Sequence, residues 1–257
     1  MTELDPARRA ALAREVLAAL TAHCPGSGAQ LRGSLARGTA DAYSDIDLVW
    51  TVPDERFGAC VAAVPDVLAT VREVRSVRTD PDLARSRKRR LLFADFEDLP
   101  IFWRLDLEIV AASVAGRPGY DDDNPAARGE DRWRAAGALA NAVAAAKAVL
   151  RGQPQTARGL LERGFVRIGA VPTVAEDWSA DVGRLAEAAA AAEPDVAAIA
   201  DRVTALALAL PPRSAFAPPK APAPPGSTCP GGGTAAVERR SGAMMDGCDS
   251  KRSPGNG

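Results

Sequence analysis

The stretch Leu31-Arg32-Gly33-Ser34-Leu35-Ala36-Arg37-Gly38-Thr39-Ala40-Asp41-Ala42-Tyr43-Ser44-Asp45-Ile46-Asp47-Leu48-Val49 places two aspartates, two residues apart, at the head of an apolar run. Side chains two apart in a strand share a face, so Asp45 and Asp47 project together from a strand whose other face is apolar. Aspartate is disfavoured in strands, and like charges ~4 Å apart repel by roughly 1 to 4 kcal/mol, depending on the effective dielectric. A positive group belongs between them. Oxygen-only coordination favours a hard divalent cation, and Mg2+ prefers one or two carboxylates together with the oxygens of a substrate phosphate. The first half of the stretch supplies a place for that phosphate. Gly33 has no Cβ and lets backbone approach a ligand closely, Ser34 offers a hydroxyl and an N–H at the start of a short helical turn, and Gly38 ends the turn. Arg37 is available as a cationic contact. The ten residues between Ser34 and Asp45 are enough to bring the chain back beside its first strand.

Working outward, a further carboxylate serves such a site by holding a second metal or by taking a proton from an attacking hydroxyl. The segment Phe102–Val110 puts Asp106 and Glu108 on one face, with Leu105, Leu107 and Ile109 on the other. Alternation alone does not choose between the two acids. Before the decisive stretch, Asp5-Pro6 starts a helix whose stripe is Leu12, Val16, Leu17 and Leu20, running to about His23. Strands are expected over Gln30–Arg32, Ile46–Val52, Val71–Val77, Arg90–Phe96 and Ile101–Ala111, with a helix near Asp54–Leu68 and a hairpin-length loop at Glu97–Pro100. The fold class expected is α/β (α+β), a small mixed sheet of about five strands followed by an all-helical part.

Helices are expected over Asp131–Arg151, from Pro154, from Thr173 with Glu176 at capping-box spacing, and from Pro194 to a stop at Pro211-Pro212. Lys147 lies at the edge of the stripe Leu139, Val143, Ala146 and Leu150, from which it can reach across a cleft to a phosphate. Residues 1–116 are read as a catalytic domain and 126–210 as a helical domain. From Pro211 onward, nine prolines and eight glycines in 47 residues read as a disordered tail.

Of 257 residues, 32 are Lys or Arg and 33 Asp or Glu, a formal net charge of −1. That balance argues against a long nucleic acid held by bulk positive charge. No apolar run is long enough for a membrane span and no secretory leader is evident, so a cytoplasmic location is expected. The four cysteines form no CxxC pair, and the one histidine, His23, leaves little room for Ser-His or Cys-His catalysis.

Gly33-Ser34, ten residues, Asp45-Ile46-Asp47-Leu48 and a later Leu105-Asp106-Leu107 together resemble the signature of the polymerase-beta-type nucleotidyltransferase superfamily. The resemblance implies a mixed sheet with helices, two Mg2+ ions, and transfer of a nucleoside monophosphate from a nucleoside triphosphate, ATP by preference, to a hydroxyl with release of pyrophosphate. It implies that Asp45 and Asp47 hold the metals, that Asp106 is the third carboxylate, and that Gly33 and Ser34 bind the triphosphate. Arg104-Leu105-Asp106-Leu107 is similar to the third motif of aminoglycoside-modifying members, which favours Asp106 over Glu108. A small hydroxylated acceptor, aminoglycoside-like, is the expected substrate. A partner protein, as in antitoxin-like minimal members, is the alternative.

Overall fold

The structure is a computed structural model that describes residues 4–175 and 177–212. The proline- and glycine-rich segment read as a tail lies outside the described residues, apart from Pro211 and Pro212. Helix α1 (Pro6–His23) begins where Asp5 accepts a hydrogen bond from the Ala7 N–H at 2.8 Å. Strand β1 (Gly28–Leu31), helix α2 (Gly33–Arg37), strand β2 (Ile46–Val52) and helix α3 (Phe57–Ala69) follow, then strands β3 (Val74–Thr79), β4 (Arg89–Phe96) and β5 (Leu105–Ala111). The remaining helices are α4 (Arg134–Leu150), α5 (Pro154–Arg167), α6 (Trp178–Ala192) and α7 (Ala197–Ala207).

The five strands form one mixed sheet in the order β1-β2-β5-β4-β3. β2 and β5 run parallel at its centre, and the other neighbouring pairs are antiparallel. One face carries Ile46, Leu48, Trp50, Leu105, Leu107 and Ile109, each at most 1% exposed, packed with Leu12, Val16 and Leu20 of α1 and Cys60, Val64 and Leu68 of α3. Full burial of such a side chain is worth about 1.5–3 kcal/mol, which pins the strands' register because a one-residue slip would turn every apolar group to the polar face. A second buried cluster is built from α4, α5, α6 and α7, with alanines 135, 138, 142 and 145 of α4 allowing close helix approach. Among the described residues, no helix is long and apolar enough to cross a membrane.

Several boundaries differ from those read in the sequence, each for a local reason. β5 starts at Leu105 rather than Ile101, because Trp103 N–H closes a turn on the Pro100 carbonyl (2.9 Å) and its indole N–H donates to Ala42 O (3.2 Å). β3 starts at Val74 rather than Val71, since Val71 and Arg72 N–H groups both return to Leu68 O and lengthen the end of α3. The segment from Asp54 opens with a 3-10 turn before α3 begins at Phe57. The helix expected from Thr173 begins at Trp178 instead. Asp177 is its cap, accepting from the Ser179 and Ala180 N–H groups at 3.0 and 3.4 Å, and Glu176 lies outside the described residues.

Candidate active site

The polar face of the sheet carries the candidate residues. In the parallel β2–β5 pair, Asp47 stands in register with Asp106, and Glu108 stands beside Val49 two positions further on. Neighbouring strands lie ≈ 4.8 Å apart, so the Asp47 and Asp106 carboxylates are adjacent groups on one surface. Glu108 is engaged elsewhere: one oxygen takes Arg89 Nε at 2.5 Å and the other pairs with Arg32.

Gly33 follows β1 and is positioned against Asp47. The Arg32 N–H donates to the Asp47 carbonyl at 2.8 Å, and Gly33 adopts φ +58 directly over the aspartate. A Cβ on Gly33 would overlap the Asp47 carboxylate oxygen and lie 2.8 Å from its Cγ. The absence of a side chain at position 33 is therefore required by the aspartate itself, in addition to any ligand. Helix α2 then runs five residues and is closed by Gly38 at φ +68, with the Thr39 N–H returning to Ser34 O at 2.9 Å. Its first amides, as at any helix start, lack intrahelical carbonyls. Ser34 is half-buried, whereas Arg37 is exposed at the far end of the turn.

Asp45 is reached from the helical part. Lys147 of α4, 6% exposed, places Nζ 2.5 Å from Asp45 Oδ1. Burial lowers the lysine's proton affinity, with Asp45 opposing that shift. The lysine is thus held in the site by a carboxylate rather than snorkelling to solvent. Asp106 is gripped by the fork of Arg104, Nε at 2.6 Å and Nη2 at 2.7 Å. Burial still pushes the Asp106 carboxyl upward, Arg104 pulling against it and Asp45 and Asp47 adding to it. Asp47 is also raised, first by burial and then by the charge of Asp45.

Three carboxylates thus meet two cations, Lys147 and Arg104. Among the described residues no three acidic, histidine or cysteine side chains converge in ligating geometry, Asp45 and Asp106 being turned to those cations. The donor set nonetheless fits a divalent cation in its chemistry: oxygens alone, clustered like charges, and an Asp47 whose ionised form is penalised by burial and by Asp45.

The loop ahead of Asp45 is tied down by residues that the sequence reading did not single out. Arg9 of α1, 1% exposed, donates to the carbonyls of Asp41 (2.5 Å) and Ser44 (3.2 Å) and lies over the Trp103 ring. Arg151, at the C-cap of α4, forks onto Asp41 at 2.6 and 2.7 Å and holds that carboxyl well below its usual range. Arg9 falls three residues before Leu12 on the buried stripe of α1, a spacing from which its burial could have been read. The basic run Arg85–Arg90 is spent largely within the fold: Arg89 binds Glu108 and Asp122, Arg90 binds the Ala84 and Ser86 carbonyls, and Lys88 binds Asp54 and Ser113.

No curated protein matches the chain. Among solved structures it is similar to a chain of the GLD-2/RNP-8 complex, at 17% identity and TM-score 0.34, covering 69% of this chain and 60% of that one. It is also similar to a chain of the non-canonical poly(A) polymerase complex GLD-2 - GLD-3, at 16% identity and TM-score 0.32, covering 69% and 58%. The chain spans less than two thirds of the length of either. Residues 14–98 match the family described as "Nucleotidyltransferase domain". That match takes in Gly33, Ser34, Asp45 and Asp47, and stops short of Asp106 and Lys147. The glycine-serine turn and the paired aspartates Asp45 and Asp47 thus lie inside the segment, residues 14–98, that is similar to a nucleotidyltransferase domain.

Proposed function

We propose that the protein transfers a nucleoside monophosphate from a nucleoside triphosphate, ATP, to a hydroxyl of a small acceptor, with residues 1–116 as catalytic domain and 126–210 as the helical part that closes over it. The observation that carries this reading is the juxtaposition of Asp47 with Asp106 in register, Asp45 on the same face, and Gly33 packed against Asp47. Asp45, Asp47 and Asp106 would hold Mg2+, whose bound form neutralises phosphate oxygens and eases ionisation of the attacking hydroxyl.

The remaining work falls to the chain's own groups. The amides of the Gly33–Ser34 turn and the Ser34 hydroxyl receive the triphosphate, with Arg37 beside them. Lys147, already in the site on Asp45, moves its ammonium to phosphate oxygens as negative charge enters. Asp106, kept in one orientation by Arg104, accepts the proton of the acceptor hydroxyl, and its raised proton affinity suits it to do so. The hydroxyl oxygen bonds to the α-phosphorus, the bond from that phosphorus to the bridging oxygen breaks, and pyrophosphate leaves carrying the electron pair. The acceptor is a small hydroxylated molecule, of which the aminoglycosides implied by the sequence resemblance are one class, and a cytoplasmic location matches a triphosphate-consuming enzyme.

The test is metal-dependent pyrophosphate release with a panel of hydroxylated acceptors. Asp45→Asn and Asp47→Asn are each expected to lower it at least 100-fold while leaving the far-ultraviolet circular dichroism unchanged. Full activity in the double variant would refute the assignment.

A further inference from the structure

Arg78 lies in the interior, close to carboxylates but bonded to none. It is 8% exposed, and among the described residues its guanidinium makes no hydrogen bond and no ion pair. Its one close partner is the ring of Phe93, 4.1 Å away. Two further guanidinium groups stand nearby. Arg104 lies 4.8 Å from the same ring, and both Arg104 and Arg167 oppose the charge on Arg78. Burial lowers the Arg78 proton affinity to about 10, with Arg104 adding to that shift and the carboxylates of Asp95 and Asp106 pulling against it without closing an ion pair. Buried charges in folded proteins are normally paired, so an orphan of this kind calls for a missing partner.

The place of Arg78 in the sheet says what that partner is. Asp47, Asp106, Phe93 and Arg78 are in register across β2, β5, β4 and β3, which puts all four on the same face in one row. Gly33 and the turn proposed for the triphosphate lie at the β1 end of this row, and Arg78 lies at the opposite end, two strands or roughly 10 Å beyond Asp106. Displacement at phosphorus is in line, so a hydroxyl attacks from the side opposite the departing pyrophosphate. With pyrophosphate leaving over Gly33 and Ser34, the acceptor approaches over Phe93 from the side of Arg78.

That side is hollow. A cavity of about 200 Å3 is lined by Arg78, Phe93, Arg104, Trp133, Asn141 and Arg167, and a chamber of about 60 Å3 that also borders Arg78 and Arg104 reaches Asp45 and Lys147. At ~30 Å3 per water the larger space holds six or seven water molecules, room for a group of a small molecule. None of the acids around these spaces is ion-paired with Arg78. Asp131 is paired with Arg167 at 3.1 Å, burial pushes the Asp80 carboxyl toward its neutral form, and Asp95 accepts from the Ser76 hydroxyl at 3.3 Å, acting on Arg78 only through its charge.

The geometry points to an acceptor that carries an oxyanion, a phosphate or a carboxylate, received by Arg78 with Arg104 alongside, while the acceptor's hydroxyl rests at Asp106. This inference rests on the transfer reaction proposed above and narrows its acceptor. A polycationic aminoglycoside would bring ammonium groups to a cavity already lined by arginines. Phe93 contributes a ring face against which the body of the acceptor packs, and the carbon skeleton spans the row from Asp106 to Arg78.

The experiment is calorimetric binding to the full chain, with and without a saturating non-hydrolysable ATP analogue and Mg2+. The probes are ribose 5-phosphate, gluconate, uncharged ribose and kanamycin, and the proteins are the wild type, Arg78→Met and Arg78→Lys. Ribose 5-phosphate or gluconate is expected to bind at least tenfold tighter than ribose, the better of the two naming the oxyanion. The preference is expected to vanish in Arg78→Met and to return in part in Arg78→Lys. Affinity for the ATP analogue should stay within twofold in all three proteins. The melting temperature of Arg78→Met should equal or exceed that of the wild type, since removing an unpaired buried charge relieves a cost, whereas a purely structural arginine would lower it on removal. Equal binding of charged and uncharged probes, a preference that survives in Arg78→Met, or binding of kanamycin in place of the anions would overturn the inference. The two readings fail separately. Absence of any pyrophosphate release with an intact Arg78-dependent anion preference refutes the transfer reaction alone, and release to kanamycin or ribose without that preference refutes the anionic acceptor alone.

Discussion

Replacing Gly33 by alanine separates two costs that the structure assigns to different atoms. The first is backbone strain: at φ +58 an L side chain meets its own carbonyl, a penalty of about 1–2 kcal/mol. The second is collision, because the new methyl would lie 2.8 Å from Asp47 Cγ and 3.2 Å from Asp47 Cβ, with the carboxylate oxygen closer still. A side chain as short as aspartate cannot bend around such an obstacle. It must turn its carboxylate away, a shift of the order of 1 Å at the group proposed to hold the metal. Misplacement on that scale costs roughly 100-fold in rate. Gly38 provides the internal control, having nearly the same strain, φ +68, with no atom within 4 Å of a Cβ there. Gly38→Ala is therefore expected to lose about 1–2 kcal/mol, a fall of roughly 2–8 °C in melting temperature for a chain of this size, and Gly33→Ala at least as much. Only Gly33→Ala should lose activity, by about 100-fold in metal-dependent pyrophosphate release. Thermal denaturation and a continuous pyrophosphate assay on the two variants side by side decide the matter. Activity of Gly33→Ala within fivefold of wild type, or an equal loss in Gly38→Ala, would refute the packing argument.

Two further outcomes follow from the charges. Asp47 has a folded-state proton affinity raised above its unfolded value, so its contribution to stability is fully present below the unfolded pKa and is lost as pH rises through the folded one. Asp47→Asn should therefore melt higher than wild type at pH 7 and no higher at pH 3, and a variant that melts lower at neutral pH would contradict the direction of the shift. Asp41 is shifted the opposite way, by the Arg151 fork first and by Ser44 as well, so its stabilisation is present above the unfolded pKa and is lost as pH falls. With Arg151 and Asp41 side chains 33% and 44% exposed, solvent screening keeps the pair under about 1 kcal/mol. Arg151→Met is expected to lower the urea midpoint slightly at pH 7, the gap narrowing below about pH 3.9, where the unfolded-state carboxyl takes up its proton. A gap that stays constant across that range would show that Asp41 is not the partner that matters.

Much of this site was legible in the sequence because its informative features are local. Two aspartates at spacing two must share a strand face, a glycine and serine before a short turn must present amides, and alternation across Ile46–Val52 separates an apolar face from a polar one. Each of these follows from the geometry of a few consecutive residues. The β2 boundaries and the start of α1 were readable for the same reason. Element ends were misplaced where the deciding hydrogen bond came from elsewhere: Trp103 bonded to Ala42 shortens β5, and the last turn of α3 delays β3.

Pairing across the chain was beyond such reading. Alternation put Asp106 and Glu108 on one face and could not rank them; the register of β5 against β2 set Asp106 beside Asp47 and left Glu108 to two arginines. Position 147 could be seen as a lysine at the edge of a helical stripe, but its 2.5 Å approach to Asp45 required α4 to fold over the sheet. Arg78 fell outside the strand read over Val71–Val77, and only the placement of β3 at the sheet's edge brought it against Phe93. The sequence by itself determined which residues could bear the chemistry, since that depends on side-chain type and strand periodicity alone. The tertiary structure decided which of them meet, because contacts between strands and helices distant in the chain depend on register and packing, and neither is encoded within any single segment.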